Sequence, residues 1–136
     1  MIVRIENLRP FVSLCARLVL GSILLLHGWE KVVRPGSLHQ FALFVAHLGL
    51  PGWLGYVAAF TELLGGAALI LGLFTLIASI GVAIDMAVAI LLVHLHHGLT
   101  GPGGFEFPLS LFALALVLIA NGPGWLAVDR IVFRSN

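Results

Sequence analysis

From Trp53 to Val93 the chain is almost continuously apolar, broken only by Glu62 and Asp85. As one helix this stretch would reach roughly 60 Å at 1.5 Å per residue, twice the hydrocarbon thickness of a bilayer. It must therefore turn back on itself, and Gly72-Leu73-Phe74-Thr75 is the segment within it that can act as a hinge. Charged residues make up only 10% of the chain and apolar residues 60%, whereas a soluble domain carries about 25% charged residues. A soluble globule, a disordered tail and a nucleic-acid binder are excluded on this ground. An all-α integral membrane protein remains, and 136 residues allow a single small domain.

Spanning helices need roughly 20 mostly apolar residues each. The pattern predicts spans over about residues 11–29, 53–73, 76–95 and 105–120, a transmembrane four-helix bundle with both termini on one side. The fourth span is short and is closed by Asn121-Gly122-Pro123-Gly124, a strong helix stop. Arg4 and Arg9 precede the first apolar run as in a signal peptide, but no small-x-small cleavage site follows, so it reads as a retained span. Arg4, Arg9, Arg130 and Arg134 flank the termini, against Lys31 and Arg34 in the first loop. The positive-inside rule then places both termini in the cytoplasm of a bacterial-type inner membrane.

In the long first loop Ser37 stands where it can cap a helix over about residues 37–48, whose Leu38, Phe41, Ala42, Val45 and Leu48 follow helical spacing. Two readings are open for it, an interfacial helix on the outer leaflet or a lid over a ligand site. The tail over residues 123–136 reads as a second interfacial segment, anchored by Trp125 and Arg130.

Three ionisable residues fall inside the spans, each costing at least about 2.5–3.5 kcal/mol on insertion scales. Arg17 shares a helix face with Ser13, Gly21 and Gly28, Glu62 with Ala58, Gly65 and Gly66, and Asp85 with Ala78, Gly81 and Ala89. Small residues mark packing faces, so all three charges are expected to point into the bundle. Counted from the cytoplasmic edge, Arg17 lies roughly 9 Å deep, Asp85 roughly 13 Å and Glu62 roughly 18 Å. At these depths Arg17 can pair with one or both carboxylates. Such a group is either an ion pair that locks the bundle or a buried polar site for a quinone, a proton or another ligand.

A second polar group gathers at the outer end: His27, Glu30 and Lys31, then His94, His96 and His97, then Glu106. His96 is eleven residues from Asp85, which on a continuous α-helix returns it to nearly the same face and allows a polar path inward. Imidazole is the commonest metal-ligand side chain, yet His94-x-His96-His97 matches no zinc or haem-attachment spacing, and no metal centre is assigned to it. The single cysteine, Cys15, cannot form an intrachain disulfide. No phosphate-binding loop or nucleophile elbow is present, and Gly101 to Gly104 with Pro102 reads as a turn.

Leu20-Gly21 and His27-Gly28 with Lys31, then Leu48-Gly49-Leu50-Pro51 and Glu62-Leu63-Leu64-Gly65-Gly66 with Leu71-Gly72, form an ordered series. It continues in His94, Gly98, Gly104-Phe105-Glu106-Phe107 and Gly122-Pro123-Gly124 with Asp129. The series resembles the DoxX family of small membrane proteins over nearly the whole chain. The resemblance implies a four-span bundle and carries the family pattern onto His27, Lys31, Glu62, His94 and Glu106. Related members include the membrane subunit of a thiosulfate:quinone oxidoreductase and proteins linked to membrane oxidoreductase complexes. Leu76 and Trp125 depart from it, each standing where a basic residue is common in the family.

The chain is accordingly expected to be a membrane subunit of a quinone-linked redox assembly, contacting lipid and other protein subunits and not nucleic acid. Its tentative ligand site comprises Arg17, His27, Glu62, Asp85, His94 and Glu106, and a quinone is the candidate cofactor. The alternative is a structural or assembly subunit of a larger membrane complex, non-catalytic by itself.

Overall fold

The structure is a computed structural model that describes residues 2–133. Arg134, counted above among the positive charges at the termini, and the end of the expected tail lie outside the described residues. Each apolar run forms a helix. A short α1 (Ile2–Glu6) precedes α2 (Arg9–Val33), which carries Pro10 in its first turn, where a missing N–H leaves no intrahelical bond unmade. Then follow α3 (Ser37–His47), α4 (Trp53–Leu71) and α5 (Thr75–Ala89). The last of these continues through a π-turn, Ile90–His94, and a 3-10 turn, Leu95–His97. α6 (Glu106–Asn121) and a short α7 (Val128–Val132) complete the described chain, which contains no strand.

Three helical stretches, Arg4–Val33, Trp53–Leu71 and Thr75–His97, are long and apolar enough to cross a membrane, and α6 is a shorter apolar helix of 16 residues. α2 packs on α4, α4 on α5, α5 on α6, and α6 returns to α2. The core of this ring is aliphatic, with Leu20, Leu24, Leu69, Val82, Leu111 and Leu118 almost fully enclosed. Leu18, Val19, Ile77 and Ile84 point outward, as expected where lipid replaces water as the solvent.

The two helix pairings made by α4 differ in closeness. Against α2, a Cβ added at Gly66 would lie 2.5 Å from the Leu25 amide nitrogen, and one at Gly28 would overlap the Leu63 backbone. Only glycine permits that backbone approach. Against α5 the small residues do not bring backbones together: Gly65 meets the Val82 side chain and Gly81 meets Thr61, both at ordinary contact distances. The wider α4–α5 spacing leaves the room that the site below occupies.

One local expectation is corrected. Ser37 does not cap α3. Gly36, in the left-handed region at φ 74°, occupies the cap position, and Ser37 is already helical. The described part of the tail is fastened to the bundle. The Trp125 amide donates to the Pro10 carbonyl (3.1 Å), its ring meets Phe11 edge-on, and Ala127 is buried. This end, with the chain termini and the α4–α5 turn, is called the terminal end below, and the end with α3 and the histidines the loop end.

Candidate functional site

Arg17 does not pair with Glu62 or Asp85. Its side chain is fully buried, and its guanidinium donates to the Leu69 carbonyl (3.1 Å) and the Trp125 carbonyl (2.6 Å), with longer contacts to Ile70 and Leu126. Matching Cα depths misjudged the partner because helical side chains lean toward their own N-terminus. On α2 that direction leads to the last turn of α4, whose carbonyls carry the negative end of the helix dipole; the Leu69 carbonyl accepts there from the Gly72 amide (3.2 Å) as well as from Arg17. The carboxylate whose charge Arg17 feels is that of Asp129. Asp129 accepts bonds from the amides of Phe74 (2.6 Å) and Thr75 (2.8 Å), while its own amide donates to the Gly72 carbonyl (2.9 Å). It thereby holds Phe74 in a left-handed conformation, φ 49°, that residues other than glycine rarely adopt.

The carboxylates of the spans meet a different base. Lys31 Nζ lies 2.8 Å from both oxygens of Glu62 and 4.4 Å from the centre of the Phe41 ring on α3. Glu62 is buried, and the Lys31 side chain keeps about a quarter of its surface open. The helical run of α2 to Val33 explains the pairing, because it places Lys31 inside the bundle where the sequence reading ended the span at residue 29.

This pair forms the polar wall of a cavity of about 390 Å³ between α3, α4 and α5. α3 contributes Phe41, Phe44 and Val45, α4 contributes Val57, Ala58 and Thr61 beside Glu62, and α5 contributes Gly81, Ile84 and Val88 beside Asp85. Asp85 is close enough to feel the charges of Glu62 and Lys31, and its Oδ2 is buried with no hydrogen-bond partner. His94 closes the wall at the π-turn, with Nδ1 2.8 Å from the Gly103 carbonyl. The mouth is apolar, since Val57, Ile84 and Leu92 both line the cavity and remain exposed.

Of the residues singled out in the sequence, the structure thus brings together Glu62, Asp85 and His94, and adds Lys31. Arg17 belongs to the terminal end. His27 is exposed and sits against Phe107 (5.7 Å between ring centres), and Glu106 is exposed, so neither reaches the cavity. The expected path through His96 is also corrected. The π-turn closes i→i+5 bonds and uses more residues per turn, which breaks the register that would have returned His96 to the Asp85 face. His94 takes that place, while His96 stacks on His97 at the surface (4.2 Å). Among the described residues no group of His, Cys, Asp or Glu is arranged to hold a metal ion. Phe41 is the lining residue that sequence reasoning could not assign, since its role depends on how α3 folds over α4.

Chemically, the cavity is an apolar cleft of the size usual for small-molecule sites, roughly 300–1,000 Å³, with two carboxyls, one ammonium and one imidazole in its wall. The family model described as DoxX matches residues 12–95, more than half of the chain. A Bacillus subtilis protein with the name "Putative oxidoreductase CatD" is 33% identical over 124 residues, covering 91% of this chain and 89% of its own. An "Uncharacterized protein" of Haemophilus influenzae is 29% identical over 142 residues (96% and 97% coverage). The "Uncharacterized membrane protein Rv3486" of Mycobacterium tuberculosis is 28% identical over 134 residues (89% and 81%). No solved structure matches the chain. The family model runs from α2 through α5 and covers Lys31, Glu62, Asp85 and His94 of the cavity wall, and the chain belongs to the DoxX family of membrane proteins.

Proposed function

We propose that the chain is a subunit of a redox assembly in the inner membrane, with cytoplasmic termini, and that the α3–α4–α5 cavity holds the ring of a lipid-soluble quinone. The observation that carries the reading is the buried, unpartnered Asp85 Oδ2 in the wall of a largely apolar cavity. A buried polar atom without a partner is costly and calls for an explanation. An apolar ring whose oxygens carry hydroxyls in the reduced form can donate to it. Its apolar mouth suits a ligand arriving from the bilayer. The relative from B. subtilis, named as an oxidoreductase, points to the same class of chemistry.

In this reading Lys31 and Glu62 fix the polar end of the cavity, Asp85 and His94 contact the ring oxygens, and Phe41 and Val57 exclude water. When bound, the quinone supplies the two-electron, two-proton chemistry. The sequence carries no motif for a redox centre, so the electrons are assigned to a partner subunit. Extraction of the purified full chain with organic solvent should release quinone in near-stoichiometric amount, and Glu62→Gln should lose it while keeping its helical content. Quinone-free protein from membranes rich in quinone would sink the reading. The alternative, a structural subunit, draws support from the terminal end, where Arg17 and Asp129 bond to backbone groups of α4, the α4–α5 turn and the tail. It predicts that partner activity survives replacement of Glu62 and Asp85.

A further inference from the structure

The hydrogen-bonding capacity left in the cavity wall is one-sided. Lys31 directs its ammonium to both oxygens of Glu62 and to the face of Phe41, which commits it to groups of the protein itself. His94 faces the Gly103 carbonyl through Nδ1. A carbonyl only accepts, so Nδ1 carries the proton and Nε2 of the neutral ring is an acceptor. Asp85 Oδ2 is a buried acceptor with no partner. Thr61 alone has a hydroxyl that can donate or accept. The wall therefore offers a ligand two acceptors of its own and hardly any donor.

An oxidised quinone presents carbonyl oxygens, which only accept, whereas the reduced dihydroxy form presents two O–H donors. We infer that the site selects the hydrogen-bond-donating quinol over the quinone, with Asp85 Oδ2 and His94 Nε2 receiving its two hydroxyls. This deepens the reading above and rests on it. The balance of charge agrees, because two carboxyls face a single ammonium and the wall favours a partner that brings positive hydrogen-bond character. Glu62 and Lys31, already bonded to each other, act as positioning residues in this arrangement. They hold the polar wall in place without contacting the ligand.

Two hydrogen bonds at about 0.5–1.5 kcal/mol each are strong enough to give a preference of about tenfold or more. The test titrates the purified full chain in mild detergent with a short-tailed benzoquinone. A parallel anaerobic titration uses the same compound kept reduced by excess chemical reductant. The quinol should bind at least about tenfold tighter, which raises the midpoint potential of the bound couple by about 30 mV per factor of ten. Asp85→Asn should lower quinol affinity about tenfold and leave quinone affinity level or raised, because the amide weakens the acceptor and adds a donor. Equal affinities, or tighter binding of the quinone, would overturn the selectivity and leave the quinone-site reading standing. Binding of neither form would remove both. Should Asp85→Asn fail to fold, the comparison of the two forms on the unaltered chain still decides the question.

Discussion

The terminal end and the loop end of this bundle bury charge in opposite ways. At the terminal end Arg17 and Asp129 bond to backbone groups from α4, the α4–α5 turn and the tail. At the loop end Lys31 and Glu62 bond to each other, and Asp85 beside them keeps an oxygen without a partner. A charge taken up by backbone carbonyls, as Arg17 is through both terminal nitrogens although its buried Nε has no partner, serves the fold. A carboxyl left unsatisfied in a cavity wall is a cost to the fold that a ligand can offset. The contrast shows that a buried charge in a membrane helix has to be judged by its partners, because depth and small-residue faces look alike for both kinds.

The comparison breaks first at Arg17. Arg17→Met removes the guanidinium bonds to the Leu69 and Trp125 carbonyls, and two charge-assisted bonds at about 1.5–3 kcal/mol each put the loss at about 3–6 kcal/mol. Unfolding in mixed detergent, followed by circular dichroism, should show it, and an unchanged midpoint would mean that the clamp is ornamental. Gly28→Ala comes next. The methyl group meets backbone at Leu63 and Glu62, forcing α2 from α4 beside the Lys31–Glu62 pair, with an expected loss of about 1–3 kcal/mol. The same assay applies, and quinone content should fall in parallel. Asp85→Asn sharpens the contrast by doing least: with no bond to lose at Oδ2, stability should stay level or rise by up to about 1 kcal/mol. A loss as large as that of Arg17→Met would show that Asp85 is structural after all.

The architecture was readable because hydropathy alone decides it. The hinge at Gly72, the stop at Asn121-Gly122-Pro123-Gly124 and the loop helix near residue 37 are all signalled by local residue types. Glu62 and Asp85 were readable as unusual, since nothing else interrupts the apolar run from Trp53 to Val93. Their neighbours were not. Arg17 was assigned to the carboxylates because a depth count follows Cα positions and ignores the lean of a long side chain. Lys31 was set outside the span because apolar character fades before the helix does. His94, and not His96, lines the cavity where α5 gives way to a π-turn, a change that leaves no mark on hydropathy. Which tail carbonyl meets Arg17 is a contact between residues 108 positions apart, and no local pattern reports it.

That separation bears on how the protein is made. Chains are synthesised from the N-terminus at about 5–20 residues per second, so α2 enters the membrane well before Trp125 leaves the ribosome. During that interval the guanidinium of Arg17 lacks its shortest hydrogen bond and the clamp on α4 stays open. The last loop to emerge is the one that fastens the first helix, and the bundle reaches its final form only when the two are joined. Truncation ahead of Trp125 would therefore leave the Arg17 guanidinium held by the end of α4 alone, without the tail carbonyl that completes the clamp.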